Sequence, residues 1–179
     1  IFVGGTNDQG LYTAIIPPSI PLPPTDTLEF QRLKQLYFAL NGDQWKDTTG
    51  WSIIRNNDFP PTGFVMNIAR GVQIQDNGRI KSLSLESNNL TGQIPDGVLA
   101  FEEIETINLA VNTITGSISL GHCPQLTLGH FGSNLVTSFD FRSLANCPKL
   151  GSIYGYGNKI SDTLPDPLPV QTSLETFDF

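Results

Sequence analysis

One pattern of apolar and polar positions recurs along the later part of the chain: apolar-x-x-apolar-x-apolar-x-x-Asn-x-apolar. Its constant member is found at Asn88, Asn112, Asn134 and Asn158, separated by 24, 22 and 24 residues. The first two copies keep every apolar position, the third and fourth have Gly129 and Gly155 at one of them, and a fifth begins at Leu174. A near-constant period of this length predicts a stack of coils that presents a surface rather than enclosing a catalytic pocket.

Within each copy, apolar residues two positions apart predict a short strand whose alternate side chains enter a core. Leu83 with Leu85 and Ile107 with Leu109 are the clearest pairs. After the strand the chain must turn inward, and an asparagine amide can donate to and accept from the freed backbone groups of its own coil and the next. We therefore predict a structural ladder of the four asparagines. Losing one such buried amide would cost roughly 1–3 kcal/mol, because backbone groups lose their partners.

The segment before the repeats has the pattern of an amphipathic helix followed by a hairpin. Cap-forming side chains come first, at Thr25, Asp26 and Thr27. The predicted apolar face is Leu28, Leu33, Leu36, Tyr37 and Leu40. Asn41-Gly42 ends the helix. We predict that Trp45 and Trp51 seal the end of the core, rather than stack on a ligand, and that Asn77-Gly78 turns a hairpin between antiparallel strands.

These patterns divide the chain into three segments. Residues 1–24 are an extended Gly/Pro-rich arm, in which five prolines favour a polyproline-like course. The arm is either a linker or tail, or an interaction arm, because its apolar stretch 11–16 is poorly suited to solvent. Residues 25–79 are an N-terminal cap of helix plus hairpin. Residues 80–179 are the repeats, four complete copies and the start of a fifth.

The repeat matches LxxLxLxxNxL, and Leu90-Thr91-Gly92-Gln93-Ile94-Pro95 matches LTGxIP, so residues 71–179 resemble the plant-type subclass of leucine-rich repeat proteins. The segment before them resembles the amino-terminal cap of secreted plant-type and protist members, although Ile74 stands where that cap carries a cysteine. The resemblance implies an α/β solenoid with short parallel strands on its concave side, turns or 3₁₀ segments on its convex side, and an N-terminal helical cap. It also implies a non-enzymatic extracellular module that recognises a protein or glycan through the concave sheet.

Placed on the template, the outward strand positions form one continuous concave face. The predicted binding residues on it are Ser84, Glu86, Asn108, Val111, His130, Ser133, Tyr154, Tyr156 and Asp178. Tyr154, Tyr156 and His130 are the expected main contacts, since rigid amphipathic rings dominate interface energetics. The alternative is an unused face, because many outward residues are small. The acids at 102, 103 and 105 have the pattern of a solvated face, and the register suggests no catalytic set.

Two cysteines and one sequon add further candidate chemistry. Cys123 and Cys147 occupy equivalent places in adjacent repeats, and neighbouring strands lie about 4.7–4.9 Å apart. A disulfide between them therefore fits, while two buried free thiols are equally ordinary. Asn89 begins the sequon Asn89-Leu90-Thr91 and is expected to point toward solvent as a glycosylation site. His and Cys spacing does not support a zinc site, and we expect no cofactor.

Charge and hydropathy restrict the classes of partner that we expect. The formal net charge of -7 argues against nucleic acid and anionic membrane surfaces, and the apolar runs are too short for membrane insertion. The chain does not start with Met, which indicates a fragment or a processed, secreted or cell-surface protein. The expected partner is a protein or glycan, or further copies of the chain. In that second hypothesis the protein is a structural subunit of an extracellular fibre or coat, self-associating through its arm and open C-terminal repeat end.

Overall fold

The computed structural model describes residues 26–61, 66–169 and 173–179, so the predicted arm lies outside the described residues. Its α-helices are α1 (Thr27–Ala39) and α2 (Trp51–Asn56), and its 3₁₀ helices are Gly42–Gln44, Met66–Ile68 and Phe141–Asn146. The strands are β1 (Val72–Ile74), β2 (Ile80–Ser84), β3 (Thr91–Gln93), β4 (Thr106–Asn108), β5 (Thr113–Ile118), β6 (Leu128–His130), β7 (Leu135–Phe139), β8 (Ser152–Tyr154) and β9 (Thr176–Asp178).

The repeat strands form one six-stranded sheet, which we call the front sheet. Its order is β1-β2-β4-β6-β8-β9, with β1 antiparallel to β2 and all later neighbours parallel. Three coils send a fully buried apolar strand residue inward, namely Leu83, Ile107 and Ile153, while the coil between the last two has Gly129 at this position. The predicted solenoid of short parallel strands is therefore confirmed, and so is the antiparallel hairpin that begins it.

A second sheet, which we call the back sheet, was not predicted. Strands β3, β5 and β7 pair in parallel immediately after the ladder asparagines, where the sequence pattern favoured turns or short 3₁₀ segments. Threonine hydroxyls bridge these strands: Thr113 donates to the carbonyl of Leu90 at 3.1 Å, and Thr115 to that of Gly92 at 3.0 Å. These β-branched residues favour an extended course, so the expectation of turns was wrong for this part of the coil. The convex side does contain the 3₁₀ helix Phe141–Asn146.

The cap helix begins as the sequence predicts, but its buried face differs at one position. The Asp26 carboxylate accepts a hydrogen bond from the Glu29 backbone N–H at 2.9 Å, which caps the helix. Leu28 was expected in the core and is 57% exposed, whereas Phe30 is fully buried. The buried stripe runs through Phe30, Leu33 and Tyr37, at the spacing of three and four residues that defines one helix face, and Leu28 lies off that stripe.

Two tryptophans fill the cap end of the core, as predicted. Trp51 is fully buried and Trp45 is 6% exposed; their ring centroids lie 4.8 Å apart with planes at 80°. Each indole N–H is satisfied, that of Trp45 by the Leu40 carbonyl at 2.8 Å and that of Trp51 by the Arg70 carbonyl at 2.9 Å. Buried indoles with satisfied donors stabilise the cap without a bridging cysteine pair.

A buried carboxylate joins the cap to the first repeat strand. Glu29 has no exposed surface, and it accepts hydrogen bonds from the Ile80 backbone N–H at 2.8 Å and from Arg79 Nε at 3.2 Å. Burial raises the pKa of Glu29, an effect opposed by the bond from Ile80 and by the charge of Arg79. The Glu29 side chain thereby ties helix α1 to strand β2.

The ladder asparagines join each coil to its neighbours. Asn112 Oδ1 accepts from the backbone N–H groups of Asn88 and Leu90 at 3.0 Å, and its amide donates to the carbonyls of Leu85 and Leu109, also at 3.0 Å. At the cap, Asn88 exchanges two hydrogen bonds with the backbone of Asp47 at 2.8 and 3.1 Å. The cap residue Asp47 thus takes the position that a preceding coil would occupy.

Candidate recognition surface

Five of the predicted binding residues stand side by side across the front sheet. They are Ser84, Asn108, His130, Tyr154 and Asp178, each paired in register with the next, and we call them the front row. Neighbouring strands lie about 4.8 Å apart, so the row extends over roughly 20 Å. The structure therefore brings these residues onto one face, while their use in binding stays a prediction.

Three aromatic side chains, Tyr154, Tyr156 and His130, pack together on this face, and we call them the ring cluster. The His130 centroid lies 5.2 Å from that of Tyr154 and 5.6 Å from that of Tyr156. The two tyrosine rings are 6.3 Å apart with planes at 80°. His130 Nε2 and the Tyr156 hydroxyl share a 3.1 Å hydrogen bond whose donor depends on the histidine tautomer. Mutual packing holds the rings in place, yet Tyr156 remains 40% exposed.

Gly132 makes room for the ring cluster. A Cβ atom at this position would lie 3.1 Å from His130 Nε2 and 3.1 Å from the Tyr156 ring, which is closer than side chains normally approach. In the preceding coil the equivalent outward residue is Ala110, which is fully buried. In the sequence, such small outward residues supported the alternative of an unused face. Here a small residue leaves room for the Tyr156 ring beside His130.

The charged groups of the face are mostly acidic. Glu86 accepts a hydrogen bond from the Asn108 amide at 2.9 Å, and the exposed Asp178 forms no ion pair with any described residue. Lys81 lies on the outer part of β2 and pairs with Glu105 at 3.6 Å, so its charge is already balanced. None of the five residues of the front row is a lysine or an arginine.

Val111 and Ser133, also predicted to bind, lie in the turns immediately before ladder asparagines. Ser87 and Gly157 occupy the same place in their coils. The φ angle is 56° at Ser87 and Val111, 55° at Ser133 and 67° at Gly157. A β-branched residue is strained in this left-handed conformation. The Val111 N–H donates to the Gly132 carbonyl at 3.0 Å, and half of its surface is exposed. Backbone bonding therefore holds an apolar side chain out at the edge of the face.

A cleft of about 710 Å³ lies where the cap meets the front sheet, and sequence reasoning missed it. It is lined by Asp47, Thr49, Asn67, Ile68, Ala69, Arg70, Gly71, Val72, Gln73, Ser82 and Ser84. Asp47 and Arg70 form an ion pair there at 3.3 Å. Gly71, with φ of 83°, allows the close approach of the two backbones, because a Cβ atom would lie 2.1 Å from the Ser84 carbonyl oxygen. This glycine was the one sequence signal of the contact.

The two cysteines are buried and free in this structure. The Cys123 thiol donates to the Leu99 carbonyl at 3.4 Å. The interaction between the two neighbouring thiols lowers the pKa of Cys123 and raises that of Cys147. A bridge between them stays a prediction. Asn89 of the sequon is exposed, and its side-chain amide donates to the Gln44 carbonyl at 2.9 Å. Its glycosylation likewise stays a prediction.

Two features are absent from the part of the chain that the structure describes. Across residues 26–61, 66–169 and 173–179, no three His, Cys, Asp or Glu side chains are grouped so that they could hold a metal ion. No helix in those ranges combines the length and apolar character needed to cross a membrane.

Comparison with known proteins places the fold. No protein-family model matches the chain. The structure is similar to that of the BIR2 ectodomain from Arabidopsis thaliana, with a TM-score of 0.64 and 23% identity, covering 86% of this chain and 79% of that one. The sequence is 32% identical over 63 residues to an adenylate cyclase of Schizosaccharomyces pombe, a match that involves 35% of this chain and spans only 4% of the cyclase. The structural likeness shows a solenoid fold of the leucine-rich repeat type.

Proposed function

We propose that this protein is an extracellular, non-enzymatic recognition module that binds a protein partner through its front sheet. The observation that carries the proposal is the ring cluster, in which Tyr156 is 40% exposed and His130 and Tyr154 pair in register on adjacent strands of the front sheet. Preorganised aromatic rings lose little conformational entropy when a partner covers them, and tyrosine is enriched among the residues that dominate interfaces. A glycan partner is the alternative ligand for the same rings.

The extracellular location is supported by two observations of different kinds. The exposed sequon at Asn89 suits a protein that passes through the secretory route. The similar solved structure is that of an ectodomain. A glycan at Asn89 would stand beside the cap, several strands away from the ring cluster, and would leave that cluster open to a partner.

Site-specific photo-crosslinking tests the proposal. A benzoylphenylalanine is introduced at Tyr156 and, as the matched control, at Asp96 in the exposed turn after β3. Each protein is exposed to a panel of purified secreted proteins and ectodomains. We expect a partner that crosslinks at position 156, fails to crosslink at position 96, and binds at least tenfold more weakly to Tyr154→Ala. A partner that crosslinks only at position 96, or that binds Tyr154→Ala unchanged, would show that the front sheet is not the binding face.

The fibre or coat hypothesis concerns residues 1–24, which lie outside the described residues. Light scattering over a concentration series tests it on the chain as given and on a chain lacking residues 1–24. Long assemblies formed only by the intact chain would favour a structural subunit over the recognition module. Monomers in both samples would favour the front sheet as the functional surface.

A further inference from the structure

We infer that the ring cluster and Asp178 together bind a cationic side chain, an arginine guanidinium above all, from a basic segment of a protein partner. This inference rests on the proposed function, because it names the chemistry of the partner at the same face. It is drawn from which groups the sheet brings together and from the charge that those groups leave unbalanced.

Asp178 supplies the carboxylate of the proposed site. Asp178 pairs in register with Tyr154, so its strand is the immediate neighbour of the strand that holds the ring cluster. Its side chain is exposed and has no ion-pair or hydrogen-bond partner among the described residues. By contrast, the carboxylates of Glu86 and Glu105 already have partners in Asn108 and Lys81. Asp178 is therefore the one carboxylate of the front row, and no described residue balances its charge.

The ring cluster supplies aromatic faces on which a cation can bind. Aromatic faces attract a cation that lies within about 6 Å of the ring centroid, and arginine is the commonest cation in such contacts. The three rings of the cluster have centroids 5.2 to 6.3 Å apart, so a ligand group that reaches one ring comes near a second. A guanidinium can stack on a ring face while its N–H groups bind a carboxylate in the fixed geometry that carboxylates match. Tyr154 beside Asp178 supplies both requirements from adjacent strands.

The chain as a whole carries an excess of negative charge. The formal net charge is -7, with 17 acidic residues against 10 basic ones. No lysine or arginine stands in the front row to repel a cation. Such a surface speeds the approach of a basic partner and makes its affinity sensitive to salt. A neutral glycan could stack on the same rings, but it would gain nothing from the excess of acidic groups.

The test uses a pair of peptides that differ only in charge. The probe is an acetylated and amidated Gly-Arg-Gly-Arg-Gly peptide, and its control replaces both arginines by citrulline, which has the same shape and no charge. Binding to the intact chain is followed by backbone amide NMR shifts. We expect the arginine peptide to shift the amides of Tyr154, Tyr156 and Asp178, and to bind about tenfold more tightly than the citrulline peptide at low salt.

Two variants with the same charge change separate the site from the general field. Asp178→Asn is expected to weaken the arginine peptide severalfold, whereas Asp96→Asn, in the turn after β3, leaves its affinity nearly unchanged. Equal binding of the arginine and citrulline peptides, or equal effects of the two variants, would overturn the inference. Tighter binding of a neutral cello-oligosaccharide at the same amides would overturn it in favour of a glycan.

The outcomes also separate this inference from the proposed function. A partner that crosslinks at position 156 but binds with no dependence on Asp178 or on salt leaves the recognition module standing and removes the cationic ligand. A partner that crosslinks only at position 96 removes the proposed binding face. The cationic-ligand inference then stands only if the arginine peptide still shifts the amides of the ring cluster, and it fails if those amides do not respond.

Discussion

Two asparagines of the ladder should differ in their effect on stability, and in the order opposite to their burial. Asn134 is 5% exposed, while Asn112 is only partly buried. The groups that each leaves without a partner differ, however, because neighbouring asparagines share carbonyl acceptors. The Leu109 carbonyl accepts from both Asn112 and Asn134, and the Phe131 carbonyl from both Asn134 and Asn158.

Removing the Asn134 amide therefore orphans one backbone group, the N–H of Ile114, since the Leu109, Phe131 and Gly132 carbonyls keep other donors. Removing the Asn112 amide orphans three groups: the Asn88 N–H, the Leu90 N–H and the Leu85 carbonyl. An unsatisfied buried polar group costs roughly 1–3 kcal/mol. We expect Asn134→Ala to lower the free energy of unfolding by about 1–3 kcal/mol, and Asn112→Ala to lower it by at least about 3 kcal/mol.

Urea unfolding followed by circular dichroism measures both variants, with Asn67→Ala at an exposed position as a control for near-zero change. The three proteins must share one m value for their stabilities to be comparable, because a solenoid that unfolds in stages would not give a single free energy. If Asn134→Ala destabilises as much as Asn112→Ala or more, burial rather than shared hydrogen bonding governs the ladder, and the reasoning fails.

Three further predictions follow from strained or titrating groups. Val111→Gly should raise the free energy of unfolding by about 1 kcal/mol, because it relieves left-handed strain at a β-branched residue, and Ser133→Gly should raise it less; urea midpoints measure both. Burial raises the pKa of Glu29, so its stabilising contribution is present below its ordinary value of 4.5 and lost as pH rises through the folded-state pKa. Wild type should therefore lose stability relative to Glu29→Gln across that interval, and parallel profiles would contradict this. Burial, together with the hydrogen bond to Asp43, raises the pKa of Tyr37 from 10.0 to about 12. The contribution of Tyr37 to the free energy of unfolding should therefore be lost between pH 10.0 and about 12 in wild type, and this loss should be missing in Tyr37→Phe. Urea unfolding of both proteins at alkaline pH measures the difference.

The front sheet could be predicted because every coil repeats the same physical requirement. An inward Leu83 or Ile107 needs a period of two, and the backbone that turns after it needs an amide such as Asn112. The hairpin turn at Gly78 was readable for the same reason, since a left-handed φ of 80° favours glycine. These features depend on local spacing and on backbone groups that must be paired.

The remaining features depend on contacts between segments far apart in sequence. Leu28 matched the helical spacing and is exposed, because the neighbouring stripe at Phe30 docks on the solenoid instead. The need for a glycine at position 132 arises from Tyr156 of the next coil, because a Cβ atom there would lie 3.1 Å from the Tyr156 ring. The cleft beside Arg70 exists only where cap and sheet meet. Single-residue patterns do not contain such pairings, so neither the back sheet nor the shape of the candidate site was predicted in full.

The uneven coil lengths have a consequence for how this surface can vary. The step from Asn112 to Asn134 is two residues shorter than the others, yet Asn108 and His130 still pair in register on the front sheet. Among the parallel strand pairs, irregular pairing occurs instead at the back, where the register between β5 and β7 shifts after Gly116. The parallel strands of the front sheet thus keep a constant spacing, and the difference in coil length is accommodated in the back sheet. Insertions or deletions in the back of a coil can therefore change its length while the spacing between the front-row side chains stays constant.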